Sequence, residues 1–217
     1  MSSIEAKKSI VSLLKKIESK VRYGLTLQSI RIKLIMIGID ISPYYWFQEG
    51  VTITKIPEIQ GIPADYSFES LGPEDMKTIE TLDKGWSRSN ERLLALSENR
   101  EKCLGIKYKG EIAAFMWINF VEFKYKSTVM PLKSNEAYLT DMFTVEAYRG
   151  KNLAPFLRYK SYEMLKEMGR DVLYSISICF NSPAVKYKEK LNARKLKIIL
   201  YIQLFKKFHR SFTLKSY

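Results

Sequence analysis

Val145-Glu-Ala-Tyr-Arg-Gly-Lys-Asn-Leu-Ala-Pro155 joins two patterned segments through a short basic turn. Upstream, Ala137 to Val145 is rich in apolar and β-favouring residues and reads as a buried strand. Downstream, Leu153, Leu157, Met164, Leu165 and Met168 recur at helical spacing. Gly150 and Asn152 are residue types that enter positive φ. Successive N–H groups of such a turn, continued by the unpaired N–H groups of a helix's first turn, form a cradle for an anion, and Arg149 and Lys151 add charge to it. Pro155 has no N–H, but in a first turn that donor would be unpaired anyway.

Working outward, Gly169 suits the position after the helix. Val172 to Phe180 then alternates Val172, Tyr174, Ile176, Ile178 and Phe180 against Leu173, Ser175, Ser177 and Cys179, as a strand does. Ser182 is placed to cap a further helix with Pro183 at its first position, running to about Leu191 and stopping at Asn192. Before the central strand, Leu104 to Tyr108 and Glu111 to Phe120 flank Lys109-Gly110 and read as a hairpin. Gly72-Pro73-Glu74-Asp75 opens a helix to about Leu82, and a second covers Asn90 to Glu98.

Arg149-Gly-Lys-Asn-Leu-Ala154 resembles the Arg/Gln-x-x-Gly-x-Gly/Ala signature of the GNAT acyltransferases. Asn181-x-x-Ala184 with Glu189-Lys-Leu-Asn-Ala193 is similar to that family's second segment. Asn152 and Asn192 stand where the family usually has glycine. The resemblance spans roughly Tyr66 to Phe208. It implies a mixed α/β fold, with a central, mostly antiparallel sheet, splayed coenzyme strands and flanking helices. It also implies acyl-coenzyme A as co-substrate with no metal. Coenzyme contacts would come from Phe143, Thr144, Val145, Arg149, Gly150, Lys151, Asn152, Leu153, Ala154, Asn181 and Lys188.

By the same resemblance, a backbone N–H at Met142 or Phe143 serves the oxyanion. The family often uses a tyrosine seven residues after the asparagine of the second segment as acid for the thiolate; here that position holds Lys188, with Tyr187 one residue earlier. Tyr187 points about 100° away from that position on a helix; a thiolate is a fairly good leaving group, the free thiol having a pKa of ~8.5, so a missing acid is tolerable. Asp141 is the first candidate for the base, Glu136 and Glu122 are others, and proton loss to water is an alternative. His209, the single histidine, falls after the last expected strand in a basic tail.

The chain has 217 residues and a formal charge of +13, with basic residues spread along its length. Coenzyme phosphates account for part of that excess by steering, and a second anionic substrate would account for more. Trp86, Trp117 and Tyr138 are candidate contacts for an aromatic-bearing acceptor. These features favour a small anionic amine such as a nucleotide-linked amino sugar, as used by bacterial sugar N-acyltransferases of this superfamily. A protein or peptide amine is the runner-up, and a non-catalytic coenzyme- or nucleic-acid-binding module is the alternative of another class.

Residues 1–55 lie outside the resemblance and read as an N-terminal extension to a transferase domain of 56–217. Ile10, Val11, Leu14, Ile17 and Val21 form one face of a lysine-rich amphipathic helix, whose plain reading is packing on this chain or on a second copy in a homodimer. Surface attachment to a membrane is the less favoured reading of that helix. Between Ile30 and Ile41, strand and helix are not separable. The longest apolar run, Leu34 to Ile37, is too short to span a bilayer, and no signal-peptide pattern precedes it, so the cytoplasm is the expected compartment. Cys103 and Cys179 lie in apolar strand contexts without metal spacing, and no motif for nucleic acid accompanies the charge.

Overall fold

A computed structural model describes residues 26–50, 56–61, 63–83, 89–205 and 207–217. The expected helix at Ile10 to Val21 and the candidate contact Trp86 lie outside these. The elements, in chain order, are α1 (Thr26–Met36), β1 (Ile39–Glu49), β2 (Tyr66–Leu71), α2 (Met76–Leu82), α3 (Ser89–Ser97), β3 (Glu101–Tyr108), β4 (Glu111–Asn119), β5 (Glu122–Tyr125), β6 (Thr128–Pro131), β7 (Glu136–Thr144), α4 (Leu153–Glu167), β8 (Val172–Ile178), α5 (Ser182–Lys190), β9 (Arg194–Leu204) and β10 (Phe208–Ser216). They divide into two compact units, one of 26–45, Ser177–Lys186 and Lys197–Tyr217, the other of Trp46–Ile176 and Tyr187–Leu196.

The larger unit is built on a sheet in the order β8-β7-β4-β3-β2. Its pairs are antiparallel except β7 with β8, which run parallel. Both faces of β4 are covered, and Ile112 through Ile118 are all buried. On one face Leu153, Leu157 and Leu165 of α4 pack against Leu104, Ile106, Met116, Ile118, Ala137 and Leu139. On the other, Met76 and Ile79 of α2 cover Leu71, Cys103, Phe115 and Trp117. Each such side chain contributes about 1.5–3 kcal/mol by leaving water, so Leu157→Ala would cost roughly 2–5 kcal/mol once the cavity is added. Gly105 permits the close approach of β2, because a Cβ there would sit 2.6 Å from Leu71 Cδ1. Lys109 and Gly110 close the β3–β4 hairpin with φ of 50° and 86°, the two positive values that a twist-matched two-residue turn needs.

The smaller unit holds α1, the first half of β1 and the β9–β10 antiparallel hairpin. The ambiguous Ile30 to Ile41 stretch resolves as helix to Met36, a reversal at Gly38 with φ 86°, and strand from Ile39. The tail holding His209 is a strand, β10, which alternation alone missed because both of its faces are largely exposed and carry mixed residues. Arg31 is buried among Asp40 and Ser42, donating from Nε to Asp40 Oδ1 at 2.9 Å.

Candidate active site

The site begins where β7 leaves register with β4. Phe115 faces Phe143 but Trp117 faces Thr140, so Asp141 and Met142 together oppose the single residue Met116. This is a β-bulge, which bends a strand and re-aims its backbone. Asp141 takes φ 49°, a conformation that costs an L-residue about 1–2 kcal/mol unless its surroundings fix it. Arg92 of α3 supplies that fixing: its Nη2 lies 2.5 Å from Asp141 Oδ2, and its Nη1 lies 2.5 Å from Glu101 Oε2. The guanidinium also lies 4.4 Å from the centre of the Trp117 ring, and Asn119 Nδ2 donates to the other Glu101 oxygen at 2.9 Å. The Arg92 side chain is 8% exposed and that of Asp141 38%, so the anchor is buried while the carboxylate reaches solvent.

The parallel rungs between β7 and β8 run from Glu136 and Val172 to Leu139 and Ser175, and among the described residues none joins the strands beyond. From Thr140 to Phe143 the β8-facing side of β7 therefore has no strand partner and is open to an extended ligand that pairs as a strand would. At the end of this edge Val145 N–H donates to Ala113 O at 2.9 Å, and a 3₁₀ turn at Glu146–Tyr148 leads into the basic turn. Gly150 has φ 82° and Asn152 is left-handed at φ 67°, ψ 19°, immediately before α4. Asparagine thus supplies the conformation that glycine gives elsewhere. Its side chain also does what glycine's cannot: Nδ2 donates to Glu58 O at 2.9 Å, beside a Gln60 N–H to Lys151 O bond at 3.0 Å. Arg149 Nε donates to Thr144 O at 3.2 Å. The open Gly150, the left-handed Asn152, the N–H groups of Leu153 and Ala154, and the charges of Arg149 and Lys151 fit a pyrophosphate.

Under α4 lies a buried polar cluster that periodicity did not disclose. Glu49, with no exposed surface, accepts from Tyr162 and Ser175 and pairs with Arg158 at 3.5 Å and Lys188 at 3.6 Å. Lys188 Nζ donates to Ser175 Oγ and Ile176 O, each at 2.8 Å. Burial pushes the Glu49 carboxyl up, but the two cations and two hydroxyl donors outweigh it and hold it below its ordinary range. Burial brings Lys188 down to about 7, with Glu49 opposing and Arg158 reinforcing the shift. Arg158 Nη2 donates to Tyr187 OH at 2.8 Å, and burial raises the Tyr187 phenol despite that neighbour, so it keeps its proton at neutral pH.

Of the expected site residues, the structure brings Asp141, Met142, Phe143, Thr144 and Val145 onto one edge and Arg149 to Ala154 onto the turn that follows. The Phe143 ring packs on Phe115 at 5.2 Å. Lys188, matched to a coenzyme contact, is only 2% exposed and held by Glu49, Ser175 and Ile176. Trp117 is fully buried beneath Arg92, and Tyr138, 5% exposed, packs on Phe123 at 4.7 Å. Asn181, rather than Ser182, caps α5, accepting from Ala184 N–H at 3.4 Å. Cys103 is buried and its thiol pushed far up by desolvation, which removes it as a nucleophile. Arg92 and Glu49 were missed: Arg92 meets Asp141 across 49 residues and Glu49 meets Tyr162 across 113, and neither sits in a local motif.

No group of acidic, histidine or cysteine residues that could hold a metal occurs among the described residues. No curated protein matches the chain. A GNAT-family protein from Novosphingobium aromaticivorans is similar in fold, at TM-score 0.55 and 20% identity, over 77% of this chain and 65% of that one. A GNAT-family acetyltransferase from Colwellia psychrerythraea gives TM-score 0.57 and 14% identity, over 81% of this chain and 61% of that one. The chain therefore spans just under two thirds of the length of each. The sequence profile of the acetyltransferase (GNAT) family matches residues 64–192, the stretch that holds the bulge, the open strand edge and the basic turn, and the chain belongs to that family.

Proposed function

We propose that this chain transfers an acyl group from acyl-coenzyme A to a primary amine. The observation that carries the reading is the continuity of one edge: a bulge at Asp141 and Met142, a β8-facing side of β7 with no strand partner among the described residues beyond Leu139, and an anion-holding turn from Arg149 to Ala154. GNAT enzymes use acetyl-coenzyme A. Here Arg149, Gly150, Lys151, Asn152, Leu153 and Ala154 would hold its pyrophosphate and the β7 edge its extended arm, and its thioester supplies the activated acyl group.

The remaining work falls to this chain's own groups. An N–H at Met142 or Phe143 meets the negative charge that develops on the carbonyl oxygen, and a fixed backbone donor of this kind is worth about 3–4 kcal/mol of barrier. Asp141, held through one oxygen by Arg92, accepts the amine proton on the other, directly or through water. Tyr187, protonated and oriented by Arg158, returns a proton to the departing sulfur.

The finer part of the reading is the acceptor, a nucleotide-linked amino sugar. The formal charge of +13 supports an anionic acceptor beyond the coenzyme itself. The test is kcat/KM by thiol release for a nucleotide-linked amino sugar, its free sugar and a peptide amine, at low and near-physiological salt. Remote phosphates that position the amine make the linked sugar the best substrate at both. Preference for the peptide, or equal rates for linked and free sugar, overturns the sugar assignment and leaves acyl transfer standing.

A further inference from the structure

The smaller unit carries a surface of unusual composition that acyl transfer does not use. Its described helix α1 turns an arginine inward and aliphatic residues outward: Arg31 is 8% exposed and satisfied by Asp40 and Ser42, whereas Ile30 is 55% and Met36 82% exposed. At the far end of α1, Gly38 lies against the turn of the β9–β10 hairpin, close enough that a Cβ would sit 3.2 Å from Phe205 Cα. That contact brings Met36 and Ile37 beside Leu204, Phe205 and Phe208, all of them exposed, with Ile37 at 64% and Phe205 at 67%. Exposed apolar side chains run along this unit, Leu27 and Ile30 on α1 and Phe212 and Leu214 on β10 among them, and those at the tip are contiguous, which marks a surface that meets something.

Charge identifies the occupant. Within 26–45, 177–186 and 197–217 the acidic residues reduce to Asp40, which is buried against Arg31; Lys207 and Arg210 flank the hairpin turn and Lys33 precedes the end of α1 by three residues, while Lys197 and Lys215 add charge at the other end of the hairpin. A second copy of this chain would oppose base to base across a two-fold interface, which costs rather than contributes energy. A nucleic acid would satisfy the charge but leave Met36, Ile37 and Phe205 in contact with phosphate and water. An anionic lipid surface satisfies both, because aliphatic and aromatic side chains enter the headgroup boundary while lysines and arginines remain among the anionic headgroups. The sequence adds an independent observation, since residues 1–25 run directly into α1 and carry six basic residues, two acidic ones and the apolar spacing Ile10, Val11, Leu14, Ile17, Val21.

We infer that the tip formed by the end of α1 and the β9–β10 turn docks this chain on an anionic membrane surface, which departs from the expectation that sequence alone supports. No described helix is long and apolar enough to cross a membrane, and docking of this kind needs none.

The test is co-sedimentation of the full chain with vesicles of phosphatidylcholine alone and of phosphatidylcholine mixed with phosphatidylglycerol, at near-physiological salt. Wild type should bind the mixed vesicles at least ~10-fold more tightly than the neutral ones. Met36→Glu with Phe208→Glu, and separately Lys207→Glu with Arg210→Glu, should each weaken binding at least ~10-fold. Circular dichroism and coenzyme affinity should stay unchanged, since neither pair touches the turn at Arg149. Equal binding to both vesicles overturns the proposal, as does anionic binding that the apolar pair of substitutions leaves intact, because charge alone would then explain it. A dimer of wild type that Met36→Glu and Phe208→Glu separate, without vesicle binding, assigns the tip to a second copy. Duplex RNA binding that those same substitutions weaken as strongly assigns it to nucleic acid.

Discussion

Arg92 Nη2 and Asp141 Oδ2 lie 2.5 Å apart, joining α3 to the bulge of β7 across 49 residues of chain. The pair holds the one residue of β7 that has positive φ, and its orientation fixes where the next N–H points. Arg92→Met should therefore lower kcat by roughly 10²-fold while the affinity for coenzyme, which the proposal places at the Arg149 turn, changes little. Arg92→Lys keeps the charge but cannot reach Asp141 and Glu101 together, so it should recover only part of the loss. Stopped-flow acyl transfer alongside calorimetric coenzyme binding separates the two effects, and a matched fall in both would make Arg92 merely structural.

Asp141→Asn keeps the size and part of the hydrogen bonding to Arg92 while removing basicity. As proton acceptor, Asp141 should lose roughly 10²-fold in kcat on this change. A variant with near-normal kcat across pH would move the proton to water and leave Asp141 only its anchoring part.

Asn152 should tolerate glycine and not proline. Asn152→Gly preserves φ 67° and loses the bond to Glu58 O, so coenzyme affinity should stay within about threefold while proteolysis near Glu58 accelerates. Asn152→Pro forces φ toward about −65° and should abolish coenzyme binding with the core intact by circular dichroism. Equal cleavage rates for wild type and the glycine variant would deny the side chain its strapping part.

The first signature turn was legible because its requirements are local. Positive φ, a helix start and two bases occupy six consecutive residues, and Asn152 proved able to adopt the backbone that glycine usually provides. The strands on either side were legible for a similar reason, since β4, β7 and β8 are long, apolar and bounded by turn residues. β10 was not, because an edge strand exposed on both faces has no alternation to read. Arg92 and Glu49 were invisible for a different reason: a buried charge looks like any surface charge until the fold brings its counter-ion to it.

The Glu49 cluster sets a pH dependence with a definite sign. Lys188 titrates near 7 when folded and near its ordinary 10.5 when unfolded, so between these values the unfolded chain binds more protons. Stability should accordingly rise with pH through this window, and urea midpoints should increase from pH 7 to 9. Lys188→Met should flatten that rise. Glu49→Gln should cost roughly 3–5 kcal/mol at every pH in the range, because Arg158 is left buried without its carboxylate. A flat profile in wild type would show that Lys188 keeps its proton throughout.

The account stands most directly on amine-dependent release of free thiol from acetyl-coenzyme A, measured with wild type and with Asn152→Pro over a panel of primary amines. It predicts release by wild type that requires the amine, and calorimetric binding of acetyl-coenzyme A that the proline variant loses together with turnover. Wild type that binds no acetyl-coenzyme A, or an Asn152→Pro variant that binds and turns over as wild type does, would contradict the assignment of the β7 edge and the Arg149 turn to acyl-coenzyme A.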